Sequence, residues 1–419
     1  MNRQQYDIVV IGGGLVGASL ACALAPLGYS VAVVEAVARS APQQPSYDDR
    51  TLALGAASCA ILQGLGLWDA LAPDATAIRQ VVVSAPDQPW RVTLDAAESG
   101  REAFGHVVEA RRFGAVVQEH LAGLEAIKMI CPAELEALET DPEAVTLQLR
   151  TEDGPQALRA RLVVAADGAD SSVRSLLGIG AREKRYAQTA VICNVTPRQP
   201  HRGRAFEQLT ESGPFAVLPH VGGRCGLVWC VPEEQAGHLL ELPEAQFLEQ
   251  AGRRADASLG GFVKMGKRSS YPLRLLVPER DTDQRVAILG NAAHAIHPAG
   301  AQGFNLGLRD IACLAQLLAD AAPANDEGPA DPGAAGLLEA YSRWRRPDRE
   351  SVVAWTDGLV SLFASSLALT RGVRGAALLA HAVFPPLRRR MASAAMGFRG
   401  RPPRLALGEP LLAHRRVRS

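Results

Sequence analysis

Two histidines, a proline and a glycine-rich loop lie together in the stretch GNAAHAIHPAGAQGFNLGLRD, residues 290–310. Histidines three residues apart could bind a metal ion from one face of a helix. Pro298 and Gly300 disfavour a helix here, however, and no nearby carboxylate or cysteine completes a set of ligands around His294 and His297. We therefore expect no metal site, which leaves a cradle for an anion or a simple tight turn.

A strand precedes this loop and a helix follows it. The segment QRVAILGN (284–291) is apolar and ends in Asn291, and apolar residues recur at helical spacing from about Gly303 onward. The first N–H groups of a helix have no partner within the helix, so its N-terminus attracts negative charge. The pattern predicts a site for an anion or a carbonyl group at a sheet edge.

The N-terminal segment has the same order of strand, glycine turn and helix. YDIVVI (6–11) is rich in β-branched residues, GGGLVG follows it, and ASLACALAPLGY has the pattern of a helix. The glycines fit the GxGxxG spacing that brings backbone N–H groups to a pyrophosphate. Five residues of this turn are expected to contact a dinucleotide: Gly12, Gly14, Leu15, Val16 and Gly17.

An acidic residue stands at the end of the next predicted strand. Glu35 follows the apolar residues 31–34, and a carboxylate there could accept both ribose hydroxyls of an adenosine. It would repel a 2′-phosphate, so the bound dinucleotide should be FAD or NAD rather than NADP. The residues themselves leave the choice between FAD and NAD open.

A third strand and turn occur in RLVVAADGADSSVRSLLG, residues 161–178. Asp167 and Gly168 occupy the predicted turn, and the residues 170–172 are suited to capping the helix that follows. Considered alone, this pattern is better explained by an ordinary strand-to-helix connection with a good cap than by a binding site.

The composition places these motifs in a large globular protein. The chain has 419 residues, 47% of them hydrophobic, which is enough for two or three domains with a full core. Its 44 basic residues balance 44 acidic ones, so no overall charge favours nucleic acid as a partner. Seven scattered cysteines show no zinc-ligand spacing and are expected to be reduced thiols in the cytoplasm.

The last part of the chain is basic. From Arg371 to the end there are eleven arginines and one acid, Glu409, with apolar stretches between them. This tail is a candidate contact for anionic lipid or for a protein complex, and a solvated tail is an equal alternative. No signal peptide and no membrane-spanning stretch are expected, so any membrane contact would be peripheral.

The three motifs together resemble a known family. GGGLVG, DGADSSVR and GNAAH with the following HP and QG are similar, in this order, to the FAD-binding motifs of the single-component flavoprotein aromatic hydroxylases. Within that group, DDRTLALGAAS (48–58), GRAFEQLTESGPFAVLPH (203–220) and GRCGLVWCVP (223–232) resemble the ubiquinone-biosynthesis hydroxylases. The likeness covers nearly the whole chain and is greatest for the 2-polyprenyl-6-methoxyphenol hydroxylase branch.

The resemblance implies an α/β fold in which a Rossmann-like FAD-binding domain, of the kind found in glutathione reductase and p-hydroxybenzoate hydroxylase, carries an inserted, mostly antiparallel β-sheet substrate domain. The segments VVVSAP, RVTLDA, AVICNVTP, RAFEQLT, PFAVLPH and RCGLVWCVP have the short alternating pattern of such strands. We expect an FAD domain of residues 1–77, 108–185 and 277–360, a substrate domain of residues 78–107 and 186–276, and a helical basic segment of residues 361–419.

The implied reaction is a hydroxylation that needs a cofactor, because no side chain can activate molecular oxygen. FAD would be the bound cofactor, NAD(P)H a transient electron donor and O2 the co-substrate, with oxygen transferred from the flavin C4a-hydroperoxide. The implied substrate is a polyprenylated phenol, hydroxylated para to its hydroxyl to give a 1,4-benzoquinol. Alternatives are another ring position, a soluble aromatic substrate, a related flavin reductase or dehydrogenase without oxygen insertion, or a non-catalytic flavoprotein of a complex.

The resemblance also assigns roles to single residues. Asn291 would contact the ribitol chain, and His297 and Pro298 would lay backbone beside the flavin ring. Arg50 would meet a phosphate or the flavin, and a solvated loop arginine is an equal alternative. Of Arg111 and Arg112, at the start of a predicted helix, Arg111 is the one expected to face the pyrophosphate. The N–H groups expected at the pyrimidine end of the flavin belong to Gln302, Gly303, Phe304 and Asn305.

Further expectations concern residues outside these motifs, and one concerns Ala301 within the loop. No acid or base for catalysis is evident, and His220 is expected to be a surface histidine at a strand end. Leu359, Leu362 and Phe363 are expected in the core rather than in a groove for a prenyl chain. The family usually has glycine where this chain has Ala301, so a positive φ there would strain the loop by about 1 kcal/mol.

Overall fold

The computed structural model describes residues 4–38, 50–321, 329–364 and 368–412. The strands are β1 (Gln4–Ile11), β2 (Val31–Val34), β3 (Thr51–Gly55), β4 (Thr76–Ala77), β5 (Gln80–Ser84), β6 (Arg91–Asp95), β7 (Gly105–Glu109), β8 (Ile127–Ile130), β9 (Ala133–Thr140), β10 (Val145–Thr151), β11 (Gly154–Ala165), β12 (Ala181–Pro197), β13 (Arg204–Thr210), β14 (Gly213–Pro219), β15 (Cys225–Pro232), β16 (Phe262–Met265), β17 (Ser269–Pro278), β18 (Thr282–Asp283) and β19 (Val286–Ile288). The helices are α1 (Leu15–Leu24), α2 (Ala56–Gly64), α3 (Trp68–Leu71), α4 (Ala110–Ala122), α5 (Ser172–Leu176), α6 (Glu233–Glu241), α7 (Glu244–Arg254), α8 (Gly303–Asp320), α9 (Ala335–Ala364), α10 (Ala368–Val383) and α11 (Pro385–Met396).

The first sheet is built around parallel strands in the order β19, β11, β1, β2 and β8. Its central strands are continuous apolar runs because both faces of the sheet are covered. Ile8 and Val10 of β1 pack with helices α1, α4 and α8 on one face, whereas Val9 and Ile11 pack with β10 and α5 on the other. This arrangement brings the C-terminal ends of β1, β2, β11 and β19 to one edge.

The second sheet has the order β16, β12, β15, β14, β13, β5 and β6, with β17 also paired to β12. All its pairings are antiparallel except that of β13 with β5. Helices α6 and α7 cover one face, where Phe215, Trp229 and Phe247 form the centre of a core. The opposite face is turned toward a large cavity.

The predicted fold class is confirmed. The six short segments predicted as strands of an inserted sheet correspond to β5, β6, β12, β13, β14 and β15. One strand is shorter than predicted: β19 covers Val286–Ile288, and a 3-10 turn at Gly290–Ala292 follows where the expected strand would have continued. The domain boundaries given above remain a prediction.

The last helices close the space between the two sheets. Helix α9 packs on α8 and contacts β13 and β14, and α10 lies against β6 and α9. No helix in the described part of the chain is long and apolar enough to cross a membrane.

Candidate active site

One cavity of about 1950 Å³ lies between the two sheets and the C-terminal helices. Small-molecule pockets usually measure about 300–1,000 Å³, so this cavity has room for a cofactor together with a second ligand. Fourteen of the sixteen residues predicted for the cofactor site line it: Gly12, Gly14, Leu15, Val16, Glu35, Arg50, Asp167, Gly168, Asn291, Pro298, Gln302, Gly303, Phe304 and Asn305. The structure thus brings together the ends of β1, β2 and β11, the turn after β19 and the N-terminus of α8.

The glycine turn after β1 forms a cradle that side chains would fill. A Cβ on Gly12, whose φ is +99°, would lie 2.5 Å from the carbonyl oxygen of Ala166. A Cβ on Gly17 would lie 1.9 Å from the Gly12 oxygen, so Gly17 supports the turn from inside α1 and does not itself line the cavity. Gly14 precedes the first residue of α1, and the free N–H groups of this helix N-terminus suit a pyrophosphate.

Backbone hydrogen bonds hold the carboxylate of Glu35 at the cavity. Its Oε2 accepts from the N–H of Gly13 at 2.7 Å, and its Oε1 accepts from the N–H of Val37 at 2.8 Å. Each carboxylate oxygen has a second lone pair, so Glu35 can still accept ribose hydroxyls.

Asp167 presents a buried acceptor to the same space. Its Oδ2 accepts from the Ser172 hydroxyl at 3.0 Å and from the Val173 N–H at 3.1 Å. Its Oδ1 is buried and has no hydrogen-bond partner within the described chain. Leaving a buried acceptor without a hydrogen-bond partner is costly. Such an acceptor is therefore expected to bind a ligand hydroxyl or an ordered water. The predicted helix cap is also present, because Ser171 Oγ accepts from the Arg174 N–H at 3.1 Å.

The loop before α8 has the backbone geometry of a close approach. Gly300 has a φ of +68°, and a Cβ there would lie 2.6 Å from the ring of Trp355. Ala301 has a φ of +51°, which confirms that this position requires a positive φ. Its alanine therefore occupies a conformation that costs about 1–2 kcal/mol for a residue with a Cβ.

The N-terminus of α8 points its free N–H groups into the cavity. The backbone hydrogen bonds of α8 begin with the N–H of Leu306, which donates to the carbonyl oxygen of Gln302 at 2.9 Å. Gly303, Phe304 and Asn305 therefore offer N–H groups that could stabilise negative charge on a reduced flavin. The Gln302 side chain adds a buried Oε1 that has no partner within the described chain.

The side chain of Asn305 is structural. Its Oδ1 accepts from the Gly55 N–H at 2.8 Å and the Ser58 hydroxyl at 2.6 Å, and its Nδ2 donates to the oxygens of Ala53 and Ala301. Three of these bonds join α8 to β3 and α2, and the fourth joins it to the loop before α8. Only the backbone N–H of Asn305 is left for a cofactor.

The two histidines of the opening stretch have separate, non-metal partners. His297 Nδ1 accepts from the Ala299 N–H at 3.1 Å, so its proton lies on Nε2, which donates to Gln188 Oε1 at 3.1 Å. Burial lowers the pKa of His297 to about 4. His294 Nε2 lies 2.7 Å from Asp310 Oδ2, and burial lowers its pKa as well. Neither residue belongs to a cluster of potential metal ligands in the described chain.

The two predicted arginines differ in position. Arg50 lines the cavity, with its guanidinium carbon 5.9 Å from the centre of the Tyr271 ring. Arg111 is exposed at the start of α4 and does not line the cavity, so the structure does not bring it to the site. Its neighbour Arg112 pairs with Asp74 at 2.6 Å. The residues 48–49 of the family-like segment before Arg50 lie outside the described residues.

One prediction about another residue is wrong, and a second one holds only in part. His220 is 2% exposed rather than on the surface, because its ring packs inward beside Glu109 at 3.5 Å. It does not line the cavity. Phe363 belongs to a core cluster and Leu359 and Leu362 pack against it, as predicted, but all three also line the cavity.

Sequence reasoning missed two groups. Glu207 of β13 faces the cavity from the second sheet, inside the segment 203–220 that carried the family resemblance. Asp310, the last residue of the opening stretch, is fully buried and pairs with Arg345 and Arg349 of α9. Burial alone would raise the pKa of Asp310, but Arg349, Arg345 and His294 lower it well below its usual range.

The cavity residues fit a flavin dinucleotide, since a glycine cradle, two carboxylates and a helix N-terminus line a single space. A doubly wound sheet with such a cavity defines a dinucleotide-binding protein whose second sheet covers the site. Residues 5–356 match the FAD binding domain family, and the chain belongs to that family. FAD is its cofactor, and NAD(P)H and O2 are the usual co-substrates of this class.

Two curated relatives align over almost their whole length. The chain is 39% identical over 408 residues to the ubiquinone hydroxylase UbiL of Rhodospirillum rubrum, covering 97% of this chain and 93% of the relative. It is 30% identical over 401 residues to the 3-demethoxyubiquinol 3-hydroxylase of Escherichia coli, covering 95% and 100%. The chain is thus a flavin-dependent hydroxylase, as predicted.

Solved structures show the same fold. The p-nitrophenol 4-monooxygenase PnpA of Pseudomonas putida DLL-E4 matches with a TM-score of 0.75 at 20% identity, covering 95% of this chain and 100% of that one. The structure of pqsL from Pseudomonas aeruginosa, described as a probable FAD-dependent monooxygenase, matches with a TM-score of 0.74 at 24% identity, covering 90% of this chain and 100% of that one.

Proposed function

We propose that this protein hydroxylates the aromatic ring of a polyprenylated phenol in ubiquinone biosynthesis. The observation that carries the proposal is the apolar half of the cavity. Beyond the predicted cofactor residues, the cavity continues along the second sheet and between α9, α10 and α11, where Val83, Leu218, Leu359, Leu378 and Met391 line it. Such walls suit an isoprenoid chain and exclude water from the ring to be oxidised.

FAD would be held by the glycine turn, Glu35, Asp167 and the N-terminus of α8. When bound, it supplies the two-electron activation of oxygen that side chains cannot provide. The residues of the chain position both ligands, and the N–H groups of Gly303 and Phe304 would stabilise negative charge at the pyrimidine end of the flavin.

The specific substrate proposed is 2-polyprenyl-6-methoxyphenol, hydroxylated para to its hydroxyl to give the 1,4-benzoquinol. The sequence segments 203–220 and 223–232 support it through their resemblance to that branch. The second candidate is another position of the same ring, which the name of the Escherichia coli relative favours.

Metabolite analysis of a strain that lacks this protein tests both positions. Accumulation of 2-polyprenyl-6-methoxyphenol, reversed by the plasmid-borne chain, is the result expected for the proposed position. Accumulation of a demethoxy quinone would instead support the second candidate, hydroxylation at another position of the ring. Normal ubiquinone content would contradict both. With purified protein, NADH or NADPH and 2-farnesyl-6-methoxyphenol, the product should contain one additional oxygen atom, derived from O2.

We further propose that the chain works in the cytoplasm with helices α10 and α11 docked on the inner membrane. Val383 and Phe384, at the junction of these helices, are 58% and 57% exposed, and Leu379 and Leu387 are also exposed. Arg389 is exposed beside them. Because Leu378 and Leu387 line the cavity from the same helices, a prenyl chain could enter from the lipid.

Flotation with vesicles tests this docking. Vesicles of phosphatidylcholine with phosphatidylglycerol should carry the full chain, and the double variant Val383→Asp, Phe384→Asp should remain at the bottom of the gradient. A chain truncated after residue 412 tests the terminal arginines, which lie outside the described residues. Equal recovery of wild type and double variant in the vesicle-free fraction would contradict membrane docking and favour a protein partner.

A further inference from the structure

One charged side chain, that of Glu207, lines the cavity from the strands β5, β6, β13, β14 and β15 of the second sheet. The other charged residues that line the cavity from this sheet, Glu183, Arg185 and Arg274, belong to β12 and β17. Neighbouring strands place Val83 of β5 and Ala216 of β14 opposite Glu207 of β13, and Val228 of β15 lies opposite Ala216. Side chains at opposed positions share a face, and all four line the cavity. Among the described residues that line the cavity from β5, β6, β13, β14 and β15, Glu207 is the only charged one.

The carboxyl group of Glu207 is held beside the loop that precedes α8. Its Oε1 accepts from the N–H of Gly300 at 3.2 Å. Within the described chain no hydrogen bond and no ion pair engages its Oε2. Gly300 lies two residues before Gln302, so the carboxyl group stands next to the loop expected beside the flavin ring.

Among the residues that the structure describes, no lysine or arginine forms an ion pair with Glu207, although Arg274, Arg374 and Arg390 line the same cavity. Strands β5 and β14 carry no ionisable side chain, and β15 carries Cys225 and Cys230. On α9, Asp348 pairs with Arg309 and Arg345, and Asp357 pairs with Lys184. The nearest loop carries His297, which is bound to Gln188. Burial raises the pKa of Glu207, and the Gly300 N–H opposes this only in part.

A carboxyl group in this setting is costly for folding, because burying an unpaired charge is unfavourable. The hydrogen bond from the Gly300 N–H does not by itself explain why a carboxyl group is present here, since a side-chain amide or a water could accept the same hydrogen bond. Groups with raised pKa in a closed cavity are well suited to exchange a proton near neutral pH.

We propose that Glu207 binds the hydroxyl group of the phenol through Oε2 and removes its proton as the ring is oxidised, a role that rests on the function proposed above. The phenol O–H bond breaks and an Oε2–H bond forms, so the negative charge passes from the carboxylate to the phenolate. A phenolate ring is more electron-rich than the phenol and is attacked more readily by an electrophilic oxygen. The proton returns to the product oxygen or to solvent, which restores the carboxylate.

The variant Glu207→Gln keeps the size of the side chain and an oxygen for the Gly300 N–H, but it cannot take a proton. With 2-farnesyl-6-methoxyphenol as the substrate, kcat/KM should fall at least about 100-fold at neutral pH, while FAD content stays at the wild-type level. In wild type, kcat/KM should decrease as the pH falls through the raised pKa of Glu207. The variant should lack this decrease, and its kcat/KM should rise with pH toward the pKa of the phenol itself, about 10.

The control is Glu249→Gln, the same change on the exposed surface of α7, which covers the other face of the same sheet; it should match wild type at every pH. A Glu207→Gln protein within about tenfold of wild type, or one slowed equally at all pH values, would overturn the proposal. If the Glu207→Gln variant loses FAD, the proposal is tested with the wild-type protein and two substrates, the phenol and its O-methyl ether. Equal turnover of the phenol and of its O-methyl ether, which has no proton to give, would also overturn it. A wild-type protein that fails to hydroxylate the phenol would contradict the proposed function instead.

Discussion

The imidazole of His294 and the carboxylate of Asp310 are both fully buried, and His294 Nε2 lies 2.7 Å from Asp310 Oδ2. His294 belongs to the loop beside the cavity, whereas Asp310 lies within α8. The other oxygen of Asp310, Oδ1, accepts from Arg345 Nε at 2.7 Å and Arg349 Nε at 3.2 Å. One carboxylate thus ties the loop, α8 and α9 together beneath the predicted flavin site.

Replacing Asp310 with Asn should destabilise the protein by about 3–5 kcal/mol. The change leaves the guanidinium groups of Arg345 and Arg349 buried without their shared counter-charge. Urea unfolding followed by far-UV circular dichroism measures the free energy of unfolding. Glu249→Gln, which removes an exposed charge paired with Arg253, should stay within about 0.5 kcal/mol of wild type. Equal stability of Asp310→Asn and wild type would show that the network is not needed for folding.

His297 should make stability depend on pH between about 6.5 and about 4. Its pKa is about 4 in the folded protein and about 6.5 when unfolded, so in this range the unfolded chain binds a proton that the folded one does not. Stability is therefore unaffected by this group above about pH 6.5 and declines by up to about 3 kcal/mol as the pH falls to about 4.

Unfolding free energies of wild type and His297→Gln, measured across this pH range, isolate the contribution. His294, whose pKa is also lowered, acts in the same direction in both proteins. The variant should show a shallower decline with falling pH. Parallel curves for the two proteins would contradict a neutral His297 in the folded state.

The parts of the cavity lining that depend on local sequence could be predicted from it. Glycine spacing and β-branched runs are properties of neighbouring residues, so the turns at Gly12 and Asp167 and the start of α8 at Gly303 follow from them. Arg111 does not line the cavity, and the sequence could not show this, because a position near the start of a helix does not reveal which way the side chain points. Its exposure depends on how α4 packs.

The residues that were missed depend on contacts between distant segments. In FEQLT each face of β13 carries both a polar and an apolar residue, Glu207 with Leu209 on one face and Phe206 with Gln208 on the other, so alternation of polar and apolar residues gave no signal. Asp310 meets Arg345 and Arg349 only because α9 folds back on α8. No spacing rule connects residues that are more than thirty positions apart in the chain.

Gly17→Ala should abolish FAD retention. The added Cβ would lie 1.9 Å from the Gly12 oxygen, so the helix and the turn must move apart and the cradle is lost. The flavin absorbance that remains with the protein after gel filtration measures retention. Gly237→Ala in α6, where a Cβ meets nothing within 4 Å, is the control; it should retain FAD and gain about 1 kcal/mol of stability. Equal FAD content in the two variants would contradict the role of the cradle.

Ala301→Gly should stabilise the protein by about 1 kcal/mol and preserve or improve FAD retention. Ala301 has a φ of +51°, a conformation that glycine adopts without strain, and its N–H and C=O bonds to Pro298 and Asn305 do not involve the side chain. Thermal unfolding and the FAD dissociation constant measure the two effects. The matched control is Ala299→Gly, two residues earlier at a position without positive φ, which should lose about 0.5–1 kcal/mol through the flexibility of glycine. If Ala301→Gly weakened FAD binding while Ala299→Gly did not, the methyl group of Ala301 would contribute to cofactor binding, and the strain would be the cost of that contact.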